Sequence, residues 1–436
     1  MKVLKFGGTS VGSAQRIKDV SKLILDGHKK IVVLSAMAGT TNSLVEIAEY
    51  LYKRNSDAAL ETINKLVIRY EAVVDELYTS SEYKKKTNEL LQLHFDHLRS
   101  YTSNLFTLFE EKVVLAQGEL MSTMMVTNYL LEQGVKAALL PALEYMRVDK
   151  NGEPDSEYIK INLAKQLEVY PDVEIFITQG FICLNAYGEV DNLQRGGSDY
   201  SASIVGAAVK ASEIQIWTDI DGMHNNDPRV VDKTSPVSYL HFEEAAELAY
   251  FGAKILHPTC ILPAKLANIP VRLLNTLQPQ AFGTLISNKT EKNKIKAVAA
   301  KEGITAIKIK SGRMLLAYGF LRKVFEIFES YQTPIDMITT SEVGVSVTID
   351  KSKNLQEIID ELKKFGTVTV DTDMVIICVV GDLEWENIGF ESQVLQALKD
   401  IPVRMISYGG SNYNITLLVK SADKKRTMQA LSDYLF

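Results

Sequence analysis

Six short apolar runs alternate with helix-like stretches over the first 275 residues, and this alternation narrows the fold more than any other feature. Val3–Phe6, Ile31–Ser35, Ala137–Pro141, Glu174–Gln179, Ile214–Thr218 and Val271–Asn275 read as buried strands. Helical patterns occupy Ser13–Asp26, Glu119–Glu132, Ser156–Val169, Asp199–Lys210 and Glu243–Gly252. Strands separated by helices pair in parallel, so the expected fold is a doubly wound α/β layer, its mainly parallel sheet covered on both faces. Ligands in such sheets bind outside the carboxyl ends of the strands. From Ser43 to about Leu115 the pattern is helix only. Leu60, Ile63, Leu66, Val67, Tyr70, Val73, Val74 and Leu77 recur at three- and four-residue spacing, as a helical insertion packed on the sheet requires.

The polar stretch Asn288–Lys294 closes this part of the chain. Beyond it, Ile304–Lys310, helix Gly319–Tyr331, Ile335–Thr340, Val343–Ile349, helix Leu355–Lys364 and Thr367–Val370 give the order βαββαβ. Met374–Val380, helix Glu391–Lys399, Val403–Ser407, Asn414–Val419 and helix Ala422–Tyr434 repeat it, one strand short. Ile295–Ala299 can supply that strand, which places the first unit inside the second. The expected domains are therefore 1–287, then 303–370, then 295–300 together with 371–436.

A length of 436 residues suits two or three domains. The formal net charge is -6 and no basic tract stands out, which argues against a nucleic-acid partner. Cys183, Cys260 and Cys378 are far apart and form no CxxC pair, as in proteins of a reducing compartment. The start, Met1–Phe6, lacks the apolar core of a signal peptide, and no run reaches the roughly 20 apolar residues of a membrane span. A cytoplasmic protein without a membrane partner is expected.

Three polar clusters stand out, the first and third at strand ends and the second before a helix. Lys5-Phe6-Gly7-Gly8-Thr9-Ser10 opens the first helix with two glycines, which let backbone N–H groups approach a phosphate, and Lys5 adds a point charge. The same residues also suit a plain tight turn, and the spacing is not that of a Walker A loop. In Gln194-Arg195-Gly196-Gly197-Ser198-Asp199, Arg195 can grip a carboxylate and Asp199 can face reacting groups or a metal; a polar helix cap is the plainer use. Trp217-Thr218-Asp219 with Asp227-Pro228-Arg229 suits a nucleotide or a pair of turns. His94 and His97 flank Asp96 without a third ligand and read as solvated helix residues.

Together these clusters resemble the aspartate kinases of the amino-acid kinase superfamily. The likeness also runs through Leu34-Ser35-Ala36, Gly39-Thr40-Thr41-Asn42, Gln117–Ser122, Thr178-Gln179-Gly180-Phe181 and Phe251–Pro258, and the two C-terminal units look like ACT domains. The resemblance implies ATP and Mg²⁺ as cofactors and phosphorylation of the L-aspartate side chain to 4-phospho-L-aspartate, at the head of lysine, threonine and methionine synthesis. It places Lys5, Gly7, Gly8 and Asp199 around the transferred phosphoryl group, with Lys5 and Asp199 catalytic. Thr41, Glu119, Phe181, Arg195 and Ser198 match aspartate-binding positions, with Arg195 on the α-carboxylate and Glu119 facing the α-ammonium. Thr218, Asp219, Arg229 and Lys254 match nucleotide-binding positions. His224 departs from the Tyr that relatives often carry near the adenine, and Cys183 replaces a frequent Gly.

An amino-acid effector, lysine preferred and threonine the alternative, is expected on the first ACT unit. Met314, Gly319, Phe320, Leu321, Asp336, Thr340, Ser341, Glu342 and Val343 resemble the lysine site of lysine-sensitive relatives, which forms across an ACT–ACT interface. A homodimer or homotetramer is implied. The Lys5–Val11 run and the tandem units speak against a glutamate or N-acetylglutamate kinase. Intact Lys5, Glu119, Arg195 and Asp199 speak against an inert amino-acid sensor. The chain ends directly after the second unit, so no fused homoserine dehydrogenase is expected.

Overall fold

The segment Lys-Val-Leu-Lys-Phe forms β1 (Lys2–Phe6), and every other strand of its sheet is placed outward from it. The computed structural model describes residues 1–436 apart from 194–195, 253–255, 312–317 and 351–352. The chain packs as two units, Met1–Gly222 with Leu256–Asn288, and Met223–Ile255 with Lys289–Phe436. Among the described residues no helix is long and apolar enough to cross a membrane.

The first unit is a mainly parallel α/β sheet. Its strands include β2 (Lys30–Leu34), β3 (Ala137–Leu140), β4 (Ile175–Gln179) and β7 (Ile214–Thr218); β5 (Ile182–Leu184) and β6 (Val190–Asn192) form a separate hairpin. The order is β3-β4-β2-β1-β7, continued by Val271–Asn275 and Thr284–Ser287. All neighbours pair in parallel except the last two, which are antiparallel. β2 and β4 are buried at every position, as expected of parallel strands covered on both faces. The chain moves from β1 to one side for β2 and to the other for β7. The order therefore reverses at β1, and the crevice beyond Phe6 is the switch point where such sheets take ligands.

The helices of this unit are α1 (Ala14–Ile24), α2 (Thr40–Tyr52), α3 (Ser56–Leu77), α4 (Ser81–Ser100), α5 (Leu108–Glu132), α6 (Ser156–Val169) and α7 (Gly197–Ala208). The expected insertion is α2 to α4 with the start of α5. On α3, Ile63, Leu66, Tyr70, Val73, Val74 and Leu77 are buried, with Val67 partly buried beside them. α5 begins well before the apolar pattern starting at Glu119. A capping box at Thr107 and Glu110 satisfies the first free N–H groups, and Leu108 and Phe109 stay exposed on the opening turn. His94 differs from expectation. It is partly buried and meets Gln117 Oε1 at 2.7 Å, and desolvation lowers its pKa below the usual value.

In the second unit the two βαββαβ modules share one six-stranded antiparallel sheet. Its order is Ile338–Ser341, Gly344–Ile349, Ile295–Lys310, Thr367–Gly381, Asn414–Lys420, Met405–Ser407. Strands read separately from sequence are fused: Ile295–Lys310 pairs with Thr367–Gly381 along its whole length. The register shifts between Lys301 and Ile304, where Gly303 takes a φ of 78°, and Asp373 on the other strand takes 56°. The joint is thus a bulge, which a sequence pattern reads as a break. One core gathers Ile307, Ile309, Val324, Phe328, Val347 and Leu362. The other gathers Val375, Val379, Val394, Leu417 and Leu431, and it also takes in Val231 from the segment before residue 255.

Candidate active site

Lys5 lies near the C-terminal end of β1, at the switch point. Its Nζ is 2.8 Å from Asp199 Oδ1 on the first turn of α7, with the two side chains only 13% and 16% exposed. The contact is an ion pair without hydrogen-bond alignment, so Oδ1 keeps acceptor capacity. Coulomb attraction at this depth is little screened, and the pair ties the first strand to a distant helix. Gly8 lies directly against the next strand's exit: a Cβ there would sit 2.7 Å from the Ala36 carbonyl oxygen. Ala38 N–H donates to Gly8 O at 3.1 Å, so the glycine loop and the loop after β2 are closed on one another.

The second Gly-Gly pair has a different cause. Gly196 takes a φ of 75° as the N-cap of α7, and a Cβ on it would lie 2.3 Å from Cys260 Sγ. Phe181, a non-glycine residue, also has a left-handed φ of 67°. Its N–H donates to Ser201 Oγ at 2.9 Å and its carbonyl accepts from Leu193 N–H at 2.7 Å. Such a conformation persists only where surrounding contacts over-determine it.

Ser198 Oγ accepts from Ser35 Oγ at 2.9 Å, and Ser35 O accepts from Ser122 Oγ at 2.7 Å. Glu119, on the same face of α5 one turn earlier, accepts from Ala36 N–H at 3.1 Å through Oε1. Its Oε2 is buried without a hydrogen-bond partner. Burial raises the Glu119 pKa to about 7, opposed by the Ala36 N–H and by the charge of Lys5. Thr41 is exposed on the first turn of α2. Thr218 ends β7, where its hydroxyl donates to Asp219 Oδ1 at 3.1 Å; its carbonyl accepts from Thr276.

Lys5, Gly7, Gly8, Glu119, Phe181, Ser198 and Asp199 thus surround the ends of β1, β2 and β4. His224 and Arg229 belong to the second unit. There His224 Nδ1 lies 3.0 Å from Thr234 Oγ1, and Arg229 forms a two-point pair with Asp227 at 3.0 and 2.8 Å. Arg195 and Lys254 lie outside the described residues. Ser35, Ser122, Ser201 and Cys260 also build the site, and the sequence reading gave them no role. The three-residue spacing of Glu119 and Ser122 on one helix was the available signal for Ser122.

A family model described as the Amino acid kinase family matches residues 1–275, and an ACT domain model matches residues 377–435. The lysine-sensitive aspartokinase 3 of Escherichia coli is 33% identical over 100% of this chain and 99% of its own length. The chain belongs to the aspartokinase family. Aspartokinase 1 of Arabidopsis thaliana, a chloroplastic protein, is 34% identical over all of this chain and 80% of its own. Crystal structures of E. coli aspartokinase III with aspartate and ADP (R-state), and with lysine and aspartate (T-state), match the whole chain. Their TM-scores are 0.81 and 0.82, at 33% and 34% identity. They cover 100% and 99% of those chains. The Clostridium acetobutylicum aspartate kinase matches at a TM-score of 0.89 with 25% identity, over 100% of both chains. This chain is accordingly an enzyme, an aspartate kinase, with a C-terminal ACT region.

The Glu119 carboxyl makes one pH effect calculable. Between about pH 4.5 and about pH 7 the folded enzyme holds a proton that the unfolded chain has lost, so stability falls as pH rises through that window. In urea unfolding of the ligand-free enzyme, the wild type should lose up to about 3 kcal/mol relative to Glu119→Gln between pH 5 and 8. Parallel pH profiles for the two proteins would contradict a buried, titrating Glu119.

Proposed function

We propose that the enzyme transfers the ATP γ-phosphoryl group to the β-carboxylate of L-aspartate, giving 4-phospho-L-aspartate for lysine, threonine and methionine synthesis. The observation that carries this reading is the Lys5–Asp199 pair beside the unpartnered Oε2 of Glu119 at the sheet's switch point. A carboxylate has an ordinary pKa near 3.9, so at neutral pH it attacks phosphorus without a general base. Its oxygen forms the new P–O bond while the bond to the bridging oxygen breaks, and ADP leaves with the electron pair. Catalysis then rests on positioning and on neutralising phosphoryl charge.

Lys5 supplies that charge and Asp199 orients it. Gly7 carries no side chain over Lys5, since a Cβ there would come to 3.4 Å from Nζ, and this opening fits a phosphate. Asp199 Oδ1, buried without a hydrogen-bond partner, is the carboxylate oxygen that would face Mg²⁺ brought in on the phosphates. When bound, it would add further neutralisation of the phosphate oxygens. Glu119 takes the α-ammonium, Arg195 the α-carboxylate, and Thr41, Phe181 and Ser198 complete the aspartate pocket. Thr218, Asp219, His224, Arg229 and Lys254 hold the nucleotide.

For control we read lysine as the effector, with threonine the alternative, acting on a homodimer or homotetramer joined through its ACT units. Gly319 caps the helix Phe320–Ser330 with a φ of 79°, and Leu321 lies in its first turn. Thr340 and Ser341 end the strand that turns through Glu342 and Val343; Met314 lies outside the described residues. Asp336 is a buried carboxylate, not an open counter-charge. Its Oδ1 already takes Lys301 Nζ at 2.7 Å and the Tyr250 hydroxyl at 2.8 Å, while Oδ2 is buried without a hydrogen-bond partner. An effector ammonium would use Oδ2 or displace Lys301, and it must prefer an inactive arrangement to inhibit.

Trapped as the hydroxamate, the product should form from L-aspartate and Mg·ATP, with glutamate at least several-fold poorer because its extra methylene displaces the reacting carboxylate; equal turnover of glutamate would sink the assignment. Lys5→Ala should lower kcat by roughly 10²–10³, as loss of one charge-stabilising donor does, and near-normal turnover would remove Lys5 from the mechanism. Lysine should inhibit. Asp336→Ala should raise the half-inhibitory concentration by about tenfold or more, judged against the variant's own uninhibited rate. Full wild-type activity at saturating lysine would overturn the effector reading.

A further inference from the structure

The loop after β2 is gripped from outside by two consecutive residues of α3. The Tyr70 hydroxyl lies 3.0 Å from Thr40 Oγ1 in a buried contact, and Arg69 Nη2 donates to the Ala38 carbonyl. Arg69 Nη1 stands 3.3 Å from where a Cβ on Gly39 would be, and Gly39 itself is held at a φ of 80° as the N-cap of α2. The same short turn carries Thr41 one residue past Thr40, and on its inner side Ala38 N–H closes onto Gly8. Ala36, two residues before Ala38, holds Glu119. One turn therefore joins the glycine loop, Glu119 and Thr41, and Arg69 with Tyr70 is its outer clamp.

The backbone contact does not account for a full positive charge. A neutral amide would donate to Ala38 O equally well. Arg69 is partly buried, and among the described residues no carboxylate lies within ion-pair distance of it. Nor does it pair with Glu119, whose carboxylate meets the Ala36 N–H and the charge of Lys5. A half-buried guanidinium with most of its donors uncommitted is costly to keep unless an anion arrives beside it. On the reading given above, that anion is a substrate bearing two carboxylates.

We propose that Arg69 is a positioning residue for aspartate: it fixes the Ala38–Thr41 turn and lends the aspartate pocket a positive charge that favours a substrate carrying two carboxylates. The inference rests on reading Thr41 as an aspartate contact. Arg69 does not touch the reacting atoms, so its loss weakens aspartate binding more than it slows phosphoryl transfer.

Steady-state kinetics of the full-length enzyme separates the possibilities, using Arg69→Gln, Arg69→Lys and Tyr70→Phe. Arg69→Gln should raise the aspartate KM roughly tenfold, with kcat within about threefold and the ATP KM within about twofold. It should also flatten the fall of kcat/KM for aspartate between about 0.02 and 0.3 M salt, because the missing charge is what salt screens. Arg69→Lys should keep the wild-type salt dependence and most of the affinity. Tyr70→Phe should raise KM less and leave the salt dependence unchanged. A wild-type aspartate KM and salt dependence in Arg69→Gln overturns the proposal. So does an equal rise in both KM values, or a lysine variant as impaired as the glutamine one. If the wild type itself neither binds nor phosphorylates aspartate, the functional reading fails first; a normal wild type with a normal Arg69→Gln removes only the role of Arg69.

Discussion

The ion pair between Lys5 and Asp199 joins the first strand of the chain to a helix far downstream, and the site exists only when both arrive. Neither residue is informative alone. Lys5 must leave the central strand at the reversal of strand order, and Asp199 must sit on the first turn of a helix entered through a left-handed glycine. Their mutual neutralisation is what makes it tolerable to hold a lysine and an aspartate so far from water. The loops around them are set in turn by close approach: Gly8 against Ala36, Gly196 against Cys260, Phe181 against Gly197. The parallel sheet brings these loops to one edge, and the pair fixes their spacing.

Much of this was legible in the residues. The strands of the first unit are short apolar runs between helical patterns, and they appear within a residue or two of the expected positions, because burial on both faces leaves little room for ambiguity. The glycine pairs were legible as helix entries: Gly7 precedes a short helical turn and Gly196 caps α7. What the residues did not disclose is of two kinds. One is continuity across an irregularity: Lys301-Glu302-Gly303 reads as a break and is a bulge in one long strand. The other is pairing at long range. Nothing local in Asp336 announces Lys301 and Tyr250, and nothing in Arg69 announces Ala38.

Arg229 belongs to the second unit, where the following Val230 and Val231 pack in a core with Val375, Leu417 and Leu431. Asn225 O also accepts from Val298 N–H at 2.8 Å. A residue matched to nucleotide binding is therefore rooted in the core of an ACT unit. Any rearrangement of that core has a covalent route to Arg229 through two adjacent residues, without a chain of side-chain contacts to relay it.

The long pairing of Ile295–Lys310 with Thr367–Gly381 carries a consequence for synthesis. The half of the first strand nearest its beginning, Ile295–Lys301, pairs with Ile376–Gly381, whereas its far half pairs with Thr367–Met374. As the chain leaves the ribosome, the inner module can close as soon as Thr367 and its neighbours have emerged. The outer half waits longer, with backbone donors and acceptors unpaired, until the polypeptide has run on past the bulge at Asp373 to Gly381. Folding of the regulatory region is thereby ordered from its centre outward, and a nascent chain stalled between residues 310 and 367 presents an open strand to its neighbours on the same message.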